Sequence, residues 1–263
     1  MGFVSHEHLP GVIHIEDAMG VCCTLIKGHD RALLVDAGYG LEDVAAYVKT
    51  LTDLPVTLLL THGHYDHAMG ALWFDGALLN PADRQVLAVY SGERWRRHVL
   101  RGAADKGLSA PGDYLTRALP PVQDAPRQTD LGGRKVQILH VPGHTPGSLM
   151  LYLPDEKLLL TGDNWNPTTW LWYPEAEGAA AYLRGMRRVT ELPFERALCS
   201  HRSGLYPRSA VTDFLSGLTA ACLEKARPVE LGQEMGIDTR ECSPAPEQVF
   251  VFDADKVKGS DLQ

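Results

Sequence analysis

Apolar positions along this chain fall into two patterns, short dense runs and longer periodic stretches, and they predict different elements. Val12 to Ile15, Val21 to Lys27 and Arg31 to Asp36 are runs of strand length rich in aliphatic and β-branched residues. Leu41 to Leu51 reads as a helix, and Val56 to Thr61 is again strand-like. In the second half, strand-like runs fall at Lys135 to His140, Leu149 to Leu153 and Leu158 to Leu160. Ala176 to Leu192 is periodic enough for a helix, and Pro207 to Lys225 more so. Pro207 suits a first turn, and Val211, Phe214, Leu215, Leu218 and Cys222 form one apolar stripe that reads as core. Pro228, Pro244 and Pro246 mark a loop before Val249 to Phe252, the expected last strand. No internal repeat, low-complexity tract or linker marks a second domain.

Composition narrows the class. A chain of 263 residues that is 44% apolar can bury a sizeable core, and one compact unit is expected. With 25 basic against 33 acidic residues the net charge is −8, and an acidic surface opposes the counterion release that nucleic-acid binding rewards. No apolar run reaches the eighteen residues of a membrane span, and Met1 to Ile15 lacks a basic region followed by an apolar one. The five cysteines, Cys22, Cys23, Cys199, Cys222 and Cys242, lie in or beside apolar runs, which fits reduced buried thiols and a cytoplasmic location.

The chemistry is concentrated in His62-Gly63-His64-Tyr65-Asp66-His67, directly after the strand-like run that ends at Thr61. Imidazole and carboxylate are ligands for zinc and its borderline neighbours. Residues two apart face away from each other on a helix, so His62 and His64 converge most easily from an irregular loop, with Gly63 permitting a tight backbone path. Three further segments repeat the placement of a ligand type at a strand end. His144 sits in the Pro/Gly-punctuated turn Val141 to Ser148, Asp163 ends Leu158 to Asp163, and a short strand from Ala197 delivers His201. Asp163, at a strand terminus, can bridge two cations. Cys199 shares a strand face with His201, although Asp66 already fills the place a thiolate would take.

In these motifs and their order, residues 10 to 225 resemble the metallo-β-lactamase-fold hydrolases, in particular their glyoxalase II-like and lactonase-like branch. The resemblance implies an α/β chain folded as a four-layer αβ/βα sandwich of two similar halves. Beside it, length and composition lead us to expect a single domain over residues 1–263, with a lid insertion at 91–130 and a C-terminal extension at 228–263. The resemblance further implies that His62, His64 and His144 hold one metal, that Asp66, His67 and His201 hold a second, and that Asp163 bridges them. Asp66 and Asp163 are then the catalytic carboxylates, and Asp36 orients the histidine loop without binding metal. The cofactors implied are two divalent ions, zinc first, with manganese or iron also suited. A hydroxide shared by the ions would attack an ester, lactone or thioester. The alternative within the fold is a mononuclear iron oxygenase of the persulfide dioxygenase kind, using only His62, His64 and His144 or a subset with Asp163. Retention of Asp66, His67 and His201 argues for two metals. The basic glutathione-binding segment of glyoxalase II is not identifiable, and no export signal of the kind secreted β-lactamases carry is expected; β-lactam hydrolysis, as main or side activity, is a further alternative.

Two stretches are expected to shape the substrate site. Residues 91–130 are polar, Pro/Gly-broken and long enough for a lid. Trp165, Trp170, Trp172 and Tyr173 follow Asp163 closely and, with Tyr206, are candidates for an aromatic pocket wall. The resemblance to lactonases further implies a tyrosine that polarises the carbonyl, for which Tyr65, Tyr173 and Tyr206 are the candidates. Arg94, Arg96, Arg97, His98 and Arg101 read as a solvated helix face, or alternatively as a docking point for an anionic substrate. The expected partner is a small-molecule substrate, with a homodimer compatible and with neither nucleic acid nor membrane.

Overall fold

A computed structural model describes residues 2–258. They form two compact units, residues 2–138 with 200–204, and residues 139–199 with 205–258.

The first unit is built on a seven-stranded sheet in the order of the sequence. Strands β1 (Val4–Leu9), β2 (Val12–Glu16), β3 (Cys22–Lys27) and β4 (Ala32–Val35) form an antiparallel meander. The helix α1 (Val44–Lys49) then crosses to β5 (Val56–Leu59), which lies parallel to β4, and β6 (Ala77–Leu79) and β7 (Val122–Asp124) continue in parallel. β3 and β4 are apolar except for Thr24 and the terminal Lys27 because both faces of the sheet are covered there: Leu25, Ile26, Ala32 and Leu34 have no exposed surface. β1 has no such run. It is a half-exposed edge strand with His6, Glu7 and His8, and its polar residues hid it from the hydrophobic pattern. The helix expected over Leu41 to Leu51 forms only at Val44–Lys49, where the Asp43 side chain accepts from Ala46 N at 2.8 Å.

The chain between β5 and β6 holds the one-turn helix α2 (Tyr65–Ala68), and beyond β6 come α3 (Arg84–Tyr90) and α4 (Glu93–Asp105). Much of the segment 91–130 is therefore regular. α4 occupies its start, and β8 (Gln128–Asp130) ends it by pairing with β9 (Lys135–His140). The basic run lies on α4, but not as a uniformly solvated face. Arg96 is buried and donates to the carbonyls of Ser91 and Tyr114, bracing the helix against the loop that follows it.

In the second unit β10 (Leu149–Leu153) pairs antiparallel with β11 (Leu158–Leu160), which runs parallel to β13 (Arg196–Cys199). A four-stranded sheet joins β12 (Thr168–Leu171), β17 (Val249–Asp253), β16 (Thr239–Cys242) and β15 (Arg227–Pro228). The segment 228–258 is thus woven into this unit's sheet, and residues 259–263 lie outside the described residues. α5 (Ala179–Thr190) buries Tyr182, Leu183, Met186 and Val189 on one face.

β14 (Arg202–Pro207) precedes two helices, α6 (Arg208–Gly217) and α7 (Ala220–Glu224), in place of the single helix expected over Pro207 to Lys225. The break falls where Gly217 meets a neighbouring loop: a Cβ there would lie 1.7 Å from the Pro244 carbonyl oxygen. Thr219 then caps α7 by accepting from Cys222 N. Val211 and Phe214 on α6, Leu218 just after it and Cys222 on α7 are all buried, with Leu215 half-buried, which is why the periodicity ran through the break. Phe214 has no exposed surface and packs edge-on against Phe250 at 6.0 Å. Phe214→Ala is expected to lower stability by about 3–5 kcal/mol in urea unfolding, and a loss under about 1 kcal/mol would show that the site collapses around the cavity.

All five cysteines are buried thiols, and among the described residues no helix is long and apolar enough to cross a membrane.

Candidate metal centre

In the first unit the site begins where β4 and β5 end together. Val35 is in register with Leu59, so the residues just beyond, Asp36 and Thr61, come side by side at the carboxyl ends of two parallel strands, where α/β sheets place their ligands. Asp36 has φ +63°, a left-handed conformation uncommon outside glycine, and this turns its buried carboxylate back on the histidine loop. Oδ1 accepts from Thr61 N at 2.7 Å, and Thr61 Oγ1 donates to the same carboxylate. Oδ2 lies 2.9 Å from His67 Nδ1.

This network sets two tautomers. Because the single Thr61 hydroxyl proton is directed at Asp36, Thr61 Oγ1 accepts from His62 Nδ1 at 3.0 Å. His67 Nδ1 donates to the carboxylate itself. Both rings therefore carry their proton on Nδ1 and present Nε2 as a lone-pair donor, the arrangement in which a carboxylate partner also raises ligand basicity.

The donor spacing suits a metal. His67 Nε2 lies 3.5 Å, and His201 Nε2 3.7 Å, from Asp66 Oδ2. These separations are too long for hydrogen bonds, and they match the roughly 3.4 Å between ligands held at about 2.1 Å on a tetrahedral ion. The ligand atoms of His62 and His64 also lie within 4.8 Å of each other. His201 comes from far along the chain, and its segment is tied to the first unit by main chain and side chain alike. Cys22 N donates to Ser200 O at 2.7 Å, His14 Nε2 to Arg202 O at 3.3 Å, and His8 Nε2 to Ser203 O at 2.8 Å. His67 is fully enclosed whereas the His201 side chain is 32% exposed, so solvent reaches this set from the His201 side.

Asp17 supports the loop beyond Asp36. It accepts from Met19, Gly20, Val21 and Tyr39 N–H groups, and burial raises its carboxyl above the ordinary value of 3.8.

An aromatic group adjoins the histidines. Tyr65, between His64 and Asp66 in the chain, stacks on Trp95 at 5.3 Å, and Trp95 stacks on Tyr90 at 4.7 Å. The Tyr90 ring centre is 4.4 Å from that of His64, and His98 meets Tyr65 and Trp95 edge-on. Trp95 and Tyr90 carried no sequence signal for this placement, since only the packing of α3 and α4 brings them to Tyr65.

The second unit holds His144 and Asp163. His144 N donates to Asn164 Oδ1 at 3.0 Å and His144 Nδ1 to the Trp170 carbonyl at 2.7 Å, so Nε2 is again the donor presented, 3.6 Å from Asp163 Oδ2. Asn166 Nδ2 donates to Asp163 Oδ1 and fixes the plane of that carboxylate. Asn164 in turn donates to Val141 O, and its own carbonyl accepts from Tyr182, so the residue after Asp163 clamps the His144 turn.

The aromatic residues after Asp163 take different places. Trp165 has no exposed surface, donates Nε1–H to Gln248 and meets Tyr206 edge-on at 5.3 Å, which places it in the core. Trp172 and Tyr173 are mostly buried and stacked at 4.2 Å, with Tyr173 edge-on to His144 at 5.7 Å. Trp170 is partly exposed and meets His144 through its main-chain carbonyl.

Residues 17–201 match the family described as the Metallo-beta-lactamase superfamily. The chain belongs to that superfamily. Among curated superfamily relatives, acyl-coenzyme A thioesterase MBLAC2 of Gallus gallus is 26% identical over 189 residues, covering 64% of this chain and 66% of that protein. Hydroxyacylglutathione hydrolase of Cereibacter sphaeroides is 27% identical over 184 residues, covering 65% and 61%. The chain spans under two-thirds of the length of these relatives. Of solved structures, TTHA1623 in a di-iron-bound form is 26% identical with a TM-score of 0.55, covering 73% of this chain and 92% of that one. The sec-alkylsulfatase Pisa1 from Pseudomonas sp. is 18% identical with a TM-score of 0.63, covering 86% and 46%, a likeness of fold. The α/β class expected from the sequence is thus the metallo-β-lactamase fold.

Proposed function

We propose that this chain is a metal-dependent hydrolase of a small carbonyl substrate, with thioesters first and esters and lactones next, working with two divalent ions. The observation that carries the reading is the spacing of His67 Nε2 and His201 Nε2, 3.5 and 3.7 Å from Asp66 Oδ2, with the His67 tautomer held by Asp36. In this reading His62, His64 and His144 hold one ion and Asp66, His67 and His201 the other, with Asp163 shared. The donor set suits zinc, and iron is the competing choice because TTHA1623 was solved with two irons. Such ions supply Lewis-acid polarisation of a carbonyl and ionise water near neutral pH. Thioesters rank first because acyl-coenzyme A thioesterases stand among the relatives.

The chain's own groups make the remaining contributions. Asp36 and Thr61 keep His62 and His67 in one tautomer, and the Trp170 carbonyl does the same for His144. Asn166 holds Asp163 so that Oδ2 faces the His144 ring. Segment 91–130 serves as the cover of the site, with Trp95 and Tyr65 as the wall against which an acyl group rests.

The test is a panel of acyl thioesters, lactones, aryl esters and β-lactams assayed with zinc-, manganese- and iron-loaded protein alongside metal analysis. Two ions per chain and thioester turnover are expected. One iron per chain with oxygen uptake would replace the hydrolase by an oxygenase. Trp95→Ala is expected to raise KM about tenfold for aromatic or long-chain acyl thioesters, equivalent to roughly 1.4 kcal/mol of lost ring contact, and to leave acetyl thioesters unchanged. An equal effect on both acyl classes would remove the wall assignment.

A further inference from the structure

We infer that Asp83 is a positioning residue for the histidine loop, its buried carboxylate holding the peptide between His62 and His64 and so setting how those two rings aim at a metal. The inference rests on the metal-site reading above.

Asp83 has no exposed surface, and its Oδ2 accepts from Gly63 N at 2.8 Å. It belongs to a locally built turn, the 3₁₀ segment Pro81–Asp83 after β6, where the Asn80 side chain accepts from Ala82 N at 3.0 Å. The turn leads straight into α3, and α3 presses on the same peptide. A Cβ at Gly63 would lie 2.5 Å from Leu87 N and 2.9 Å from Leu87 Cα. Gly63 is therefore required for space, and only a residue without a side chain lets the helix backbone reach the loop.

The loop is thus gripped from two sides. Asp36 acts from the β4 end through Thr61 and His67, directly on the ligand rings. Asp83 acts from the α3 end on the one peptide whose rotation moves His62 and His64 together. Burying a carboxylate is unfavourable unless an N–H group needs an anion, and bonds of that charge-assisted kind are about twice as strong as neutral ones. An apolar side chain would serve packing alone.

The experiment compares wild type, Asp83→Ala and Asp83→Asn as full-length protein. The readouts are zinc affinity by competition with a chromophoric chelator, kcat and KM measured separately, thermal melting of the metal-free form, and imidazole NMR signals of His62 and His64 without metal. Asp83→Ala is expected to weaken zinc binding at least tenfold, the scale seen when partners of ligands are removed. It should lower kcat while leaving KM within about twofold, and split or broaden both ring signals. Asp83→Asn, which keeps a neutral acceptor, is expected to lose only about threefold. Lowered melting with unchanged zinc affinity and unchanged ring signals would overturn the inference, since that is the pattern of a merely structural residue. Should Asp83→Ala fail to fold, the isosteric Asn variant decides by the same criteria. If wild type binds no divalent metal but the ring signals still respond, the metal reading fails and the positioning role stands.

Discussion

His144→Ala is expected to abolish hydrolysis, with kcat/KM falling at least about a thousandfold, and to reduce bound metal from two ions per chain toward one. The magnitude follows from losing one ion's share of transition-state stabilisation, several kcal/mol at about 1.4 kcal/mol per tenfold in rate. His144 is a proposed ligand whose Nδ1–H is spent on the Trp170 carbonyl, so truncation deletes a donor and takes the imidazole partner from that partly buried carbonyl. The second effect costs about 1–3 kcal/mol of stability, which a domain of this size survives. The check is kcat/KM on the best substrate of the panel, metal content by mass spectrometry, and a circular-dichroism melt. Activity within tenfold of wild type in a folded protein would contradict the ligand assignment.

The second large effect is expected at Asp36, which binds no metal in this reading. Asp36→Ala should weaken metal binding ten- to a hundredfold and lower kcat/KM in proportion, because Thr61 and His67 lose the carboxylate that sets their protons. Alanine must also adopt φ +63° there, at a cost of about 1–2 kcal/mol that aspartate and asparagine bear more easily. Asp36→Asn separates the two effects: the backbone is kept and the charge is lost. If Asn restores metal affinity fully, backbone shape is what Asp36 contributes. If it recovers only stability, the carboxylate charge on His67 is the contribution. Isothermal titration of metal-free protein with zinc reads the first quantity, and urea unfolding the second.

How far the sequence could be read varied with how local each feature is. The histidine loop stood out because its chemistry is packed into six contiguous residues after a strand, and the strands leading to Asp36, Asp163 and His144 announced themselves as apolar runs. β1 did not, since an edge strand facing solvent needs no apolar face. The break between α6 and α7 was equally silent, because it arises from Gly217 meeting Pro244, a contact the heptad-like stripe cannot encode. The aromatic segment after Asp163 was visible as composition, but its roles were not. Trp165 went into the core, whereas Trp95, from a stretch read as a basic lid, came to lie on Tyr65.

By itself the sequence determined which donor types exist, that they sit at strand ends, and that an α/β core of the right family carries them, because ligand chemistry and strand patterning are both written in neighbouring residues. The tertiary structure alone decided through which bonds Asp36 acts and that Asp83 also holds the loop, which tautomer each ring takes, and which aromatic residue borders the histidines. Most of those depend on single hydrogen bonds and ring contacts between residues 20 to 40 positions apart, such as Asp83 with Gly63 and Asp36 with His67, and no periodicity along the chain records a contact of that kind.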